Sequence, residues 1–194
     1  PIRGSYSIDP CLFKDDDGTV YAFFGGIWGG QLQWYDNNKM LKDEHLPEGK
    51  EPALPPRVVR MTDDMLQFAE PPRAVEIVDA NGQPLTADNP CRFSKASWMH
   101  KFNGRYYFSY STGDTHYLCY AIGDNPYGPF TFQGVILDPV VGWTTHHTIL
   151  EYKGQWYLFH HDCVPSNGTT WLRSLKVMPL HYDSTGHILR MKSE

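Results

Sequence analysis

Apolar and polar residues alternate in short runs along most of this chain, and runs with the 3.6-residue period of a helix are nearly absent. Three times a short apolar run leads into a glycine turn and a second run on the pattern G-x-x-Y: "DDDGTVYAFFGG", "KFNGRYYFSYSTG" and "EYKGQWYLFHHD". The runs ahead of the turns are "PCLFK", "ASWMHK" and "HTILEYK". Two alternating runs joined by a tight, glycine-containing turn predict a β-hairpin. The segments "HYLCYAI", "FTFQGVIL", "LRSLKVMPL" and "GHILRM" predict further strands. One short stretch, "TDDMLQFAE" from Thr62 to Glu70, has helical spacing, with Thr62 placed to cap it.

Repeats of about 40–50 residues, each forming a small sheet of some four strands, are the mark of a β-propeller. The interval from Gly104 to Gly154 fits one blade, and the longer interval from Gly18 to Gly104 holds one blade plus an insertion. The predicted architecture is therefore all-β and a single propeller domain over 1–194. Its first blade lies in 1–90 with a loop-rich insertion at 26–57, its second in 91–140, and its third in 141–194 with the C-terminal strands. "LHYDSTGHILRMKSE" is read as part of a fourth.

Composition narrows the partners. The net charge is −5 and no Lys/Arg run appears, which argues against a nucleic-acid surface. No apolar stretch of about 18 residues suggests a membrane span. The opening "PIRGSYSIDP" lacks the charged and apolar regions of a signal peptide, but it starts at Pro1 rather than Met, so the compartment stays undecided between cytoplasm and export. Cys11, Cys91, Cys119 and Cys163 are widely spaced, contain no C-x-x-C pair, and read as free thiols. Aromatic residues make up 14% of the chain, enough for ring-rich strands and for walls on which the apolar face of a sugar stacks.

A propeller runs the innermost strand of each blade along a common axis, so residues at the head of that strand face one funnel. Asp9 precedes Gly18 by nine residues and Lys95 precedes Gly104 by nine, which makes them equivalent; the same zone of the third blade is "TTHHT", Thr144 to Thr148. Together with "SIDPCLFKDDDGTVYAFFGG", "ASWMHKFNGRYYFSYSTGDTHYLCYA", "DNPYGPFTFQGVIL" and "GWTTHHTILEYKGQWYLFHHD", this arrangement resembles glycoside hydrolase family 43, in its β-xylosidase and α-L-arabinofuranosidase branch. The resemblance covers most of the chain. It implies a propeller of the five-bladed type, represented here by about three to four blades, and an inverting hydrolysis of xylan-derived oligosaccharides.

In that scheme an aspartate of the first blade activates water, an aspartate of the second tunes and orients, and a glutamate of the third protonates the leaving oxygen. Inversion needs the working carboxyls roughly 6.5–9.5 Å apart. Asp9 matches the tuning aspartate, against the plainer alternative of an Asp-Pro turn that caps backbone amides. The family's Glu-Ala-Ser-Trp is here Lys95-Ala96-Ser97-Trp98, so Lys95 stands at the acid's position. A lysine ammonium, with an ordinary pKa of about 10.4, is a poor proton donor to a glycosidic oxygen near neutral pH. The chain opens just ahead of the second-blade motif, so the first-blade base is expected outside it.

The resemblance also places His146 on the axis near a calcium ion reached through water, with His147 the weaker match. Calcium prefers oxygen ligands, and adjacent histidines on a strand point to opposite faces. His160, His161 and Asp162 leave a zinc hydrolase open as an alternative, although their spacing matches no zinc motif. Arg173 matches a family arginine that reaches the sugar, and Trp28, Trp98, Trp143 and His161 are candidate pocket walls; blade packing is the alternative for each tryptophan. The expectation is a hydrolase relative that is inactive or strongly impaired. The alternatives are a non-catalytic module for a pentose or xylo-oligosaccharide, and a propeller fragment that self-associates or pairs with a chain supplying further blades.

Overall fold

The computed structural model describes residues 8–143 and 145–193. In chain order the strands begin with β1 (Cys11–Lys14), β2 (Val20–Phe24), β3 (Tyr35–Asp36), β4 (Lys39–Met40), β5 (Arg57–Arg60), β6 (Arg73–Ala74) and β7 (Ile77–Val78). They continue with β8 (Phe93–Phe102), β9 (Arg105–Thr112), β10 (Leu118–Gly123), β11 (Phe130–Leu137), β12 (His147–Tyr152), β13 (Gln155–Asp162) and β14 (Ser174–Leu180). Three sheets follow one another as blades: β1-β2-β5-β6, then β7-β11-β10-β9-β8, then β12-β13-β14. All three predicted hairpins are present, as β1–β2, β8–β9 and β12–β13. Gly18, Gly104 and Gly154, at φ +88°, +75° and +78°, supply the left-handed turn residue of each.

The innermost strands β1, β8 and β12 lie side by side, with β8 touching both of the others. Blade two is therefore sandwiched, and its strands are buried on both faces. On β9, Tyr106, Phe108 and Tyr110 join the core shared with blade one, around Phe23, Val58, Phe93 and Phe130. Tyr107, on the other face of β9, joins the core shared with blade three, around Tyr120, Ile149, Leu158 and Leu180. The period of two along a pleated strand makes one sequence serve both interfaces.

Two expectations differ from the structure. Thr62–Glu70 is not a helix but the turn joining β5 to β6. The Thr62 hydroxyl donates to Asp64 at 2.5 Å, the amide of Gln67 donates back to that hydroxyl at 3.2 Å, and Met61 bridges Phe68. Met65 and Leu66 face solvent and only Phe68 packs, stacked on Phe24, so the helical spacing had no continuous face to bury. The boundary of blade one comes earlier than residue 90, because β7 pairs in parallel with β11 and so belongs to the second sheet. The insertion at 26–57 carries the small β3–β4 hairpin of its own.

Among the described residues the C-terminal segment makes one antiparallel bridge of its own, Tyr182 to Ile188. Tyr182 stacks on Phe102 at 3.7 Å, Ile188 N–H donates to the Tyr120 hydroxyl at 3.0 Å, and Met191 bridges Leu137, so the segment is an arm tied across blades two and three. All four cysteines are free thiols. Among the described residues no helix is long and apolar enough to cross a membrane.

Candidate functional site

The head of each inner strand delivers one side chain to a common place. Asp9 sits just before β1 with φ 50°, and its Oδ1 lies 3.6 Å from Nδ1 of His146, which sits just before β12. Thr144, the first residue of the "TTHHT" motif, lies outside the described residues. Burial lowers the proton affinity of His146; the Asp9 carboxylate pulls it back up, and the charges of Lys95 and Arg173 push it down again. That pattern puts Asp9, Lys95 and Arg173 within electrostatic reach of His146.

Lys95 is aimed by an irregularity. The β8–β9 register shifts between Lys95 and Trp98, and Ala96 within that shift adopts φ 60°. A bulge of this kind re-aims a side chain, and a buried alanine in the left-handed region is a local strain that surrounding contacts must hold. The loop after β2 holds it: Ile27 N–H donates to Ser94 O at 3.0 Å, and a side chain on Gly26 would bring its Cβ to 2.7 Å from Ile8 and 3.2 Å from Lys95 Cβ. Only a glycine lets that loop approach so closely.

Lys95 lines a cavity of about 280 Å³ with Trp28, Thr112, Asp114, His116 and Trp143. Trp28 is 49% exposed and Trp143 65% exposed, so both indoles offer surface to a ligand. Trp28 holds φ 60°, fixed where its N–H donates to the buried Gln33 Oε1 at 2.9 Å. The ring of His116, another residue with positive φ, lies 5.4 Å from that of Trp143. Arg173, in the loop before β14, donates from Nε to Thr170 O at 3.1 Å.

Two expected walls stand elsewhere. Trp98 packs against both interblade cores and donates its Nε1–H to Ile149 O at 3.0 Å, so it joins blades two and three rather than lining the cavity. His161 is turned to the backbone: its Nδ1 accepts from His146 N–H at 3.3 Å, and its N–H donates to Thr145 Oγ1 at 3.1 Å. His147 faces away from His146, into blade two, where Nε2 meets Ser109 Oγ at 2.7 Å. Burial and the neighbouring histidines keep His147 neutral, well below its ordinary range.

His116 and Asp114 are absent from the sequence-derived set. The signal was the polar turn "STGDTHY" between β9 and β10, whose length carries both residues over the mouth of the cavity.

The described residues do not fit a directly held metal. Among them no group of three or more His, Cys, Asp or Glu side chains converges. Calcium asks for roughly six to eight oxygens and structural zinc for four ligands, whereas the axial position offers the Asp9 carboxylate beside one imidazole.

The profile of glycosyl hydrolases family 43 matches residues 2–188. The chain is 78% identical over 192 residues to a β-xylosidase of Xylanibacter ruminicola, covering 99% of this chain and 60% of that protein. It is 67% identical to a xylosidase/arabinosidase of Bacteroides ovatus, covering 100% of this chain and again 60% of that protein. A GH43_1 enzyme of Xanthomonas citri solved in complex with xylotriose superposes with a TM-score of 0.95 at 55% identity, covering 99% of this chain and 58% of that one. The chain thus spans about 60% of the length of these relatives. Its three blades are part of a five-bladed propeller. This chain belongs to glycosyl hydrolase family 43.

Proposed function

We propose that this chain carries the xylo-oligosaccharide-binding face of a β-xylosidase/arabinofuranosidase-type site and, with Lys95 in the acid's place, binds pentosides without cleaving them at an enzymatic rate. What supports this reading is the approach of Asp9 to His146, the charges of Lys95 and Arg173 that act on His146, and a cavity in which Lys95 stands with two exposed indoles. Asp9 accepts hydrogen bonds from sugar hydroxyls and is oriented by His146. The forked donors of Arg173 suit adjacent hydroxyls, and Trp28 and Trp143 stack on the apolar sugar face. The xylotriose complex of the Xanthomonas citri enzyme supports the ligand class.

Hydrolysis needs a group that gives a proton to the leaving oxygen, and such assistance is worth about 10²–10⁴ in rate. An ammonium at Lys95 withholds it. The purified protein is expected to bind xylobiose in calorimetry, to lose that signal on Arg173→Ala, and to release no product from an aryl β-xyloside or aryl α-arabinofuranoside. Turnover that persists through purification and vanishes on Asp9→Asn would overturn the reading.

One feature of blade three favours association as well. On β14, Leu175 is 72% exposed and Val177 49% exposed, beside Leu150 of β12 on the same face. We infer that this apolar face is covered by a second copy or by a chain that supplies further blades. A monodisperse monomer in sedimentation at micromolar concentration is the contrary result.

A further inference from the structure

The cavity lined by Trp28 and Trp143 also holds a cation, the ammonium of Lys95. Lys95 is partly buried, and among the described residues no hydrogen bond or ion pair holds its ammonium. The carboxylate that shares the cavity, Asp114, stands 4.0 Å from Arg92 and is mostly in water. Asp9 is engaged with His146. Arg173 adds a second positive charge that acts on His146, with a backbone carbonyl as its partner.

An ammonium that lines a cavity without an ion-pair partner among the described residues lacks a favourable neighbour there, and the bulge at Ala96 aims Lys95 into that cavity. Ligand groups that bring a negative charge and lone pairs relieve this, through charge-assisted hydrogen bonds about twice as strong as neutral ones. A neutral pentose leaves the ammonium facing hydroxyls only. The two indoles, Trp28 and Trp143, require in addition that the anion be carried on a sugar ring.

We propose, building on the reading that this face binds xylo-oligosaccharides, that Lys95 makes the cavity a receptor for a carboxylate on the sugar chain, so that the preferred ligand is a xylo-oligosaccharide bearing a uronic acid branch. The exchange of an acid for a base at this position then changes what the site recognises as well as what it does. A proton donor suited to cleaving a neutral pentoside becomes a fixed cation suited to holding an acidic one.

The test is calorimetric titration at low ionic strength with xylotriose and with xylotriose carrying one glucuronic acid branch. The branched sugar is expected to bind at least about tenfold tighter, a ratio that shrinks as salt is raised. Lys95→Gln should bring the ratio of the two affinities close to one, while Lys95→Arg, which keeps the charge, should preserve most of it. Thermal melts of both variants establish that each is folded. Equal affinities in the native protein, or a preference that survives Lys95→Gln, would overturn the inference while xylotriose binding leaves the broader reading standing. If neither sugar binds, both fall together.

Discussion

Nδ1 of His146 lies 3.6 Å from Oδ1 of Asp9, which ties the residue that leads into blade three to the one that leads into blade one, across the inner strand of blade two. Their opposite influences can be separated by titration. Burial is the largest cause of the lowered His146 pKa, Asp9 opposes it, and Lys95 and Arg173 reinforce it. In NMR titration His146 should therefore titrate below the usual histidine range. Asp9→Asn should lower it further, and Lys95→Gln should raise it. A His146 midpoint indifferent to both substitutions would show that the cluster does not form in solution.

Trp98 and Trp143 should separate stability from binding. Trp98 fills the seam between two cores and satisfies Ile149 O, so Trp98→Ala should destabilise by about 3–5 kcal/mol. Trp98→Phe keeps most of the apolar area but leaves that carbonyl unbonded, for a loss of roughly 1–3 kcal/mol. Trp143 is exposed, so Trp143→Ala should change stability by no more than about 0.5 kcal/mol while weakening xylotriose binding. Urea unfolding and calorimetry read the two effects.

The hairpins were legible in the sequence because their signal is local: a glycine that must adopt positive φ, flanked by alternating residues, fixes turn and register together. The place of Asp9, Lys95, His146 and Arg173 was legible only through the spacing of equivalent points in repeated blades and through resemblance. What stayed hidden depends on tertiary context. The shift at Lys95–Trp98 leaves no trace in composition, because Ala96 is not a residue that advertises positive φ. The helical spacing at Thr62–Glu70 was overridden by side-chain bonds to its own backbone, which favour a turn where no continuous apolar face is buried. Likewise, a tryptophan that packs and one that waits for a sugar look alike until burial is known.

The thiols make a third prediction. Cys91 is half-buried, and a hydrogen bond from the Cys119 thiol is the main cause that lowers its pKa; burial opposes this, and the Arg190 charge assists. Cys119, fully buried, is pushed the other way by the same bond and by desolvation. Alkylation under native conditions near neutral pH should modify Cys91 first, with a rate that rises as pH passes through its lowered pKa. Cys11, Cys119 and Cys163 are buried and should react only on unfolding. Early labelling of any of these three in the folded protein is the contrary result.

Acid should destabilise the blade two–blade three seam before it titrates the carboxylates. His100 is buried against Tyr107 and Trp156, with Nε2 bonded to Tyr182 Oη at 2.8 Å, and burial pushes its pKa down to about 3. His147, against Ser109, is likewise held neutral. In the unfolded chain both titrate near pH 6.5. Between that value and the lowered folded values the unfolded state takes up protons that the folded state refuses. Stability is therefore full above about pH 6.5 and falls as the pH drops, by up to about 1.4 kcal/mol per pH unit for each histidine. Asp15, Glu70 and Asp183, whose pKa values lie below the usual carboxylate values, contribute their own loss only at lower pH. Thermal melts should thus show a Tm that is level down to about pH 6.5 and falls from there to pH 5, with a shallower slope in His100→Gln. A Tm that stays level over that range would mean that the seam admits protonated histidine, and that the arm around Tyr182 opens more readily than its packing indicates.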